Sequence, residues 1–161
     1  MSENPYETPD SNLDVPESRE QRPIRGIVLG FVTDLGGTTL FSVLLVFVYA
    51  TALAGQGMNA ADVEQTLSNF ETYSFYGVIS IFLGLAMSCL GGYVCIRVSN
   101  GVNLTNPIVL GVIIFLFAVL LAWDAYDLIE FVVLSVVSFL ATLWGGRKAI
   151  NRRREGAVIE A

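Results

Sequence analysis

Four apolar runs, too long and too unbroken to be the buried faces of a soluble domain, dominate this chain. Gly26 to Ala54 carries one charge, Asp34, whereas Tyr73 to Ile96, Leu104 to Trp123 and Phe131 to Gly146 carry none. A helix of about 20 residues crosses a ~30 Å hydrocarbon core, so the second and third runs are long enough unaided. The fourth has 16 residues and reaches spanning length once Leu128 and Ile129 are added, which brings Glu130 to the membrane edge. Backbone groups in lipid must pair within their own segment or in a closed barrel, and the strict alternation of barrel strands is missing. The reading is an all-α membrane protein with four transmembrane helices, over about residues 26–54, 73–97, 104–123 and 128–146.

Composition agrees: 53% of the 161 residues are hydrophobic and mean hydropathy is +0.61. The length allows one domain. Residues 1–23 read as an acidic tail, because Pro5, Pro9, Pro16 and six carboxylates (Glu3, Glu7, Asp10, Asp14, Glu17, Glu20) leave too little apolar surface to offset ordering entropy. The transmembrane domain takes 24–148, and 149–161 forms a basic tail. An acidic start lacks the basic and then apolar pattern of a signal peptide, so the mature chain is expected to begin near Met1. Cys89 and Cys95 fall within one run and read as free thiols, too far apart along one helix for a bridge.

Charge sets orientation. Arg19, Arg22 and Arg25 precede the first helix, Arg97 closes the second, and Arg147, Lys148, Arg152, Arg153 and Arg154 follow the fourth. With four crossings all nine lie on one side, which the positive-inside rule makes the cytoplasm. The predicted topology has both termini inside. The opposite loops hold Asp62, Glu64, Glu71, Asp124, Asp127 and Glu130 without Lys or Arg. Tyr73, Tyr76, Trp123 and Tyr126 at outer ends, with Tyr93 and Trp144 near inner ends, suit the interfacial belt. Short connections predict helices two, three and four as antiparallel neighbours. In the first outer loop Asn59-Ala-Ala-Asp62 caps a short interfacial helix, with Val63, Leu67 and Phe70 as its apolar stripe.

Asp34 is the one ionisable group well inside a run, where a carboxylate is costly unless paired or protonated. Two readings stand side by side. Asp34 lies near the inner boundary, neutralised by Arg25 or Arg97, or it carries a proton- or substrate-linked role. Small residues recur every four positions as Gly26, Gly30, Asp34 and Thr38 in helix one and as Ser80, Gly84, Ser88 and Gly92 in helix two. Such stripes let backbones approach in membranes, and Ser135, Ser138, Thr142 and Gly145 form a comparable seam in helix four. Expected helix-packing positions are therefore Gly26, Gly30, Gly84, Ser88, Gly91 and Gly92, and the candidate functional residues are Asp34, Arg97 and Tyr93. The chain has no His, and no nucleotide loop, nucleophile elbow, metal-ligand cluster or catalytic carboxylate pair is visible. No catalytic residue, cofactor, metal or nucleic-acid partner is expected.

Asn4-Pro5-Tyr6 with Pro9, Arg25-Gly26 leading to Asp34, and Gly91-Gly92-Tyr93-Val94 with Arg97 together resemble a group of small bacterial four-helix membrane proteins of unknown function. In that group the second helix commonly ends in Gly-Gly-Tyr-Val-x-x-Arg. Cys95 and Ile96 stand where such proteins often carry two Ala. The resemblance implies a multi-pass protein of the bacterial inner membrane and brings no activity. The function expected first is a non-enzymatic structural or interaction component, in contact with the bilayer and with a second copy or a larger membrane partner. The alternative is a small transporter or channel-like protein in which Asp34 takes a proton or cation.

Overall fold

The computed structural model describes residues 21–68, 74–122 and 127–159, and every regular element among them is an α-helix. α1 is Pro23–Gly55, α2 Ala60–Ser68, α3 Phe75–Ser99, α4 Thr105–Ala122 and α5 Leu128–Ile159. The acidic tail up to Glu20, Arg19, Phe70, Glu71, Tyr73, Trp123, Asp124 and Tyr126, for which roles are predicted above, lie outside the described residues.

Each helix starts and stops for local reasons. Pro23 opens α1, where a missing N–H is harmless and a fixed φ already suits the helix. α1 ends where Gly57 takes a φ of +87°, with its N–H on the Ala54 carbonyl at 3.0 Å. The Asn59 side chain accepts from the Asp62 N–H at 3.0 Å at the start of α2, as its sequence predicts. Ser74 caps α3 by accepting from the Gly77 N–H at 3.1 Å, and α3 stops at Asn100, left-handed at φ 53°.

Among the described residues three helices are long and apolar enough to cross a membrane: Pro23–Gly55, Phe75–Ser99 and the Leu128–Gly156 stretch of α5; Thr105–Leu121 is a shorter apolar helix. Large apolar side chains such as Val43, Phe47, Phe82, Leu120 and Leu140 point outward. In water such a surface would aggregate.

α5 departs from the predicted end at 146, and the segment assigned to a basic tail is helical to Ile159. Both glycines at the predicted end are contact surfaces: a Cβ on Gly145 would collide with the Cys89 carbonyl oxygen, and one on Gly146 would lie 2.6 Å from Pro107. Beyond them Arg, Lys, Ala and Glu are good helix formers, with no proline to interrupt. Ala149 is buried, and Arg153 Nη2 donates to the Arg97 carbonyl at 2.7 Å and to Asn100 Oδ1 at 3.2 Å, which fastens the extension to the α3–α4 turn.

The arrangement centres on α3. It packs most extensively against α1 on one side and α5 on the other, with α4 lying more lightly against α1, α3 and α5. The short connections predict helices two, three and four, here α3, α4 and α5, as antiparallel neighbours; α4 does touch both α3 and α5, but the most extensive contacts join α3 to α1 and α5. Adjacent glycines explain the difference: Gly91 and Gly92 are about 100° apart around the helix. Gly91 meets the Gly30 carbonyl of α1, whereas Gly92 meets the Thr142 carbonyl of α5. Paired contacts show directions as well. Arg22 N–H bonds to the Ser99 carbonyl and Tyr49 stacks on Tyr76, so α1 and α3 are antiparallel. Ser88 meets Ser138 and Arg97 meets Arg153, so α3 and α5 run parallel.

Packing is uneven along the bundle. The half that holds the start of α1 and the end of α3 buries Gly30, Cys95, Ile96, Pro107, Leu110 and Ala149. In the other half the buried residues among those described are Leu53, Gly77 and Phe131. Glycines draw the helices together at one end, and bulky Val, Leu and Phe hold them apart at the other. A cleft opens between the helices from the boundary between the two halves.

Candidate functional site

Asp34 occupies the helix face begun by Gly26 and Gly30, since residues four apart stack on one side. A Cβ on Gly30 or Gly91 would come within 2.8 Å of the other's carbonyl oxygen, so the two backbones nearly touch. One turn further on, α3 covers the Asp34 side chain, which is 6% exposed.

Ser88, 4% exposed, donates from Oγ to Asp34 Oδ1 at 2.8 Å. Its oxygen also lies 2.9 Å from Ser138 Oγ of α5. A hydroxyl has one proton, and Ser88 gives its own to Asp34, so Ser138 donates to Ser88. Thr142 Oγ1 donates separately, to the Ser138 backbone carbonyl at 3.0 Å. Aligned hydroxyl dipoles from α5 through α3 thus converge on a carboxyl group of α1, an arrangement that stabilises charge at Asp34.

These contacts fix how deep Asp34 lies. Ser88 is one residue from the midpoint of α3 (Phe75–Ser99), and Asp34 is nine residues beyond Arg25, about 13 Å along the helix. The carboxyl therefore stands at mid-length of the bundle. Arg25 and Arg97 do not neutralise it: both are exposed, and no ion pair with Asp34 occurs among the described residues. The Arg97 guanidinium instead lies 6.0 Å from the Tyr93 ring centre, and its carbonyl holds Arg153. Arg97 and Tyr93 thus belong to the α3–α5 end, apart from the Asp34 cluster.

Asp34, Ser88 and Ser138 form the floor of the cleft, a space of about 410 Å³ that α1, α3, α4 and α5 all line. Thr38, Ser42, Ser80 and Ser135 add hydroxyls along its walls, and the remainder is Phe, Leu, Ile and Ala with Gly84. Gly84, expected at a helix contact, has no atom within 4 Å of where a Cβ would stand; it faces this space. Of the other positions named from the sequence, Gly26 lies against Ser99 and Cys95, Gly30 against Gly91, Gly92 against Thr142, and Ser88 in the hydrogen-bond chain. Sequence reasoning missed Ser42, although it continues the four-residue spacing of Gly26, Gly30, Asp34 and Thr38. It also missed Phe31 and Phe117, which meet edge to face with ring centres 5.3 Å apart and which no local pattern distinguishes from lipid-facing rings.

Among the described residues no group of three His, Cys, Asp or Glu is placed to hold a metal. Asp34 can hold or release a proton, or pair with one positive charge.

The architecture is that of a multi-pass helical membrane protein with a polar-floored internal cleft. No protein-family model, no curated protein and no solved structure matches the chain.

Proposed function

We propose that the chain spans the bacterial inner membrane four times with both termini in the cytoplasm, and that it works without catalysis as a small transporter or channel-like protein. Asp34 is its proton or cation site. The observation that carries this reading is a carboxyl group buried at mid-length of the bundle and facing a cleft lined by four helices. Intramembrane carboxylates are expensive to keep, and those that face a cavity mark ion or substrate pathways.

The rival role, an interaction component that uses its glycine stripes on a partner, loses its principal support. Gly26, Gly30, Gly91, Gly92, Gly145 and Gly146 are occupied by contacts within the chain. Support for four crossings comes from α4, whose 18 residues extend about 27 Å. The eight described basic residues, Arg22, Arg25, Arg97, Arg147, Lys148, Arg152, Arg153 and Arg154, gather at the end where α1 starts and α3 and α5 leave the bundle. That end faces the cytoplasm, and the cleft opens toward the outer face, where α2 lies at the interface. The resemblance at Gly91-Gly92-Tyr93-Val94 and Arg97 accords with the bacterial setting.

Two measurements test the reading. Reporter fusions at position 65 and at the last residue should sit in opposite compartments; the same compartment for both refutes the topology. In proteoliposomes carrying a pH-sensitive dye, wild type should pass protons or a monovalent cation and Asp34→Asn should not. Equal flux through both, with equal insertion, refutes the site.

A further inference from the structure

We propose that the cleft receives a monovalent organic cation, an amine or quaternary ammonium with an apolar body, its charge beside Asp34 and its body among Phe31, Phe117, Leu121 and Phe131. The proposal rests on Asp34 being a cation site, as argued above, and adds the chemical class of the occupant.

Three observations lead to it. The first is an uncommitted charge acceptor. Asp34 Oδ1 accepts the Ser88 hydrogen bond, while Oδ2 has no hydrogen bond from the described residues. Among the described residues no fully buried side-chain oxygen lacks a partner, so Oδ2 is the atom open to the cleft that Asp34 lines. The second is size. About 410 Å³ lies within the ~300–1,000 Å³ typical of small-molecule pockets, and a bare ion would leave most of it empty. The third is wall chemistry. Hard metal cations gather about six or more oxygens. Beside Asp34 the Ser88 hydroxyl is already spent as a donor to the carboxyl and as an acceptor from Ser138. The walls above are mainly hydrocarbon and aromatic, a surface that welcomes an organic cation's body and, through ring faces, its charge.

The cleft's taper agrees with this. Its charged floor lies against the tightly packed half of the bundle, and its apolar walls reach into the loosely packed half. An occupant must therefore be polar at one end and greasy at the other.

The test is equilibrium binding of radiolabelled benzyltriethylammonium to the full chain in nanodiscs of zwitterionic phosphatidylcholine, with sodium and benzyl alcohol as competitors. Asp34→Asn removes the charge and keeps the shape. Gly84→Leu fills the cleft and keeps the charge, and it meets no neighbouring atom at its Cβ. Saturable binding of one cation per chain, weakened at least tenfold by each variant and not displaced by excess sodium or benzyl alcohol, supports the proposal. Equal binding by wild type and Asp34→Asn overturns it, as does full binding by Gly84→Leu or displacement by sodium. If Asp34→Asn proves polydisperse, Gly84→Leu decides by the same tenfold criterion. Absence of binding alongside Asp34-dependent proton or sodium flux overturns this inference and leaves the proposed function standing. Absence of both overturns both.

Discussion

Gly92 of α3 rests directly on the backbone of Thr142 in α5, with a Cβ at that position colliding with the Thr142 carbonyl oxygen. Both partners of the clash are backbone or near-backbone atoms, so neither can swing aside. Gly92→Val should force α3 and α5 apart and destabilise the bundle by about 1–3 kcal/mol or more. Gly84→Ala, two turns earlier on the same stripe, meets nothing within 4 Å and should leave stability unchanged or raise it by up to about 1 kcal/mol through helix propensity. Thermal unfolding in mild detergent reads both, and matching midpoints for the two variants would contradict the packing.

Ser88 joins Asp34 to Ser138, and the two bonds differ in consequence. Ser88→Ala strips the carboxyl of its donor and should cost about 1–3 kcal/mol. Ser138→Ala removes only the outer member of the chain and should cost less, since Ser88 still donates to Asp34. A double-mutant cycle with Asp34→Asn measures the coupling: Ser88→Ala should be milder in the Asp34→Asn background, where the acceptor is neutral. A purely additive cycle would rule out the hydrogen bond.

Arg153 bridges the α5 extension to the α3–α4 turn through one nitrogen, Nη2, that reaches both the Arg97 carbonyl and Asn100 Oδ1. Arg153→Ala should loosen the extension locally by roughly 0.5–1.5 kcal/mol per bond without affecting the bundle core. Hydrogen exchange should speed up at residues 150–156 and at Asn100, and remain unchanged at Ile96 and Leu110. Uniform acceleration across the chain would show that the extension is not a separate unit.

Gly57 closes α1 in the left-handed region, at φ +87°. A side chain there is strained, and Gly57→Ala should destabilise by about 1–2 kcal/mol. Gly36→Ala is the control, because Gly36 is helical and meets no neighbour within 4 Å. A Gly57→Ala protein no less stable than Gly36→Ala would count against the turn geometry.

What the residues determine alone is the set of long apolar helices and their order. Helices are obligatory in lipid because each segment must satisfy its own backbone, and that rule acts within one run and needs no partner. The start of α3 at Ser74, the cap of α2 at Asn59 and the stop of α1 near Gly57 are equally local, being set by side chains within four residues of the helix end. Tertiary structure decided everything that depends on which helix faces which. The stripe containing Gly84 and Gly92 looks uniform in sequence, yet Gly92 touches α5 while Gly84 faces the cleft. Gly145 and Gly146 are adjacent in sequence, yet Gly145 meets α3 at Cys89 and Gly146 meets α4 at Pro107. Asp34 was visible as an anomaly. Its bond to Ser88, 54 residues away, and Ser88's to Ser138, 50 further on, were not, because pairing between helices depends on the summed fit of distant surfaces and leaves no periodicity in either run.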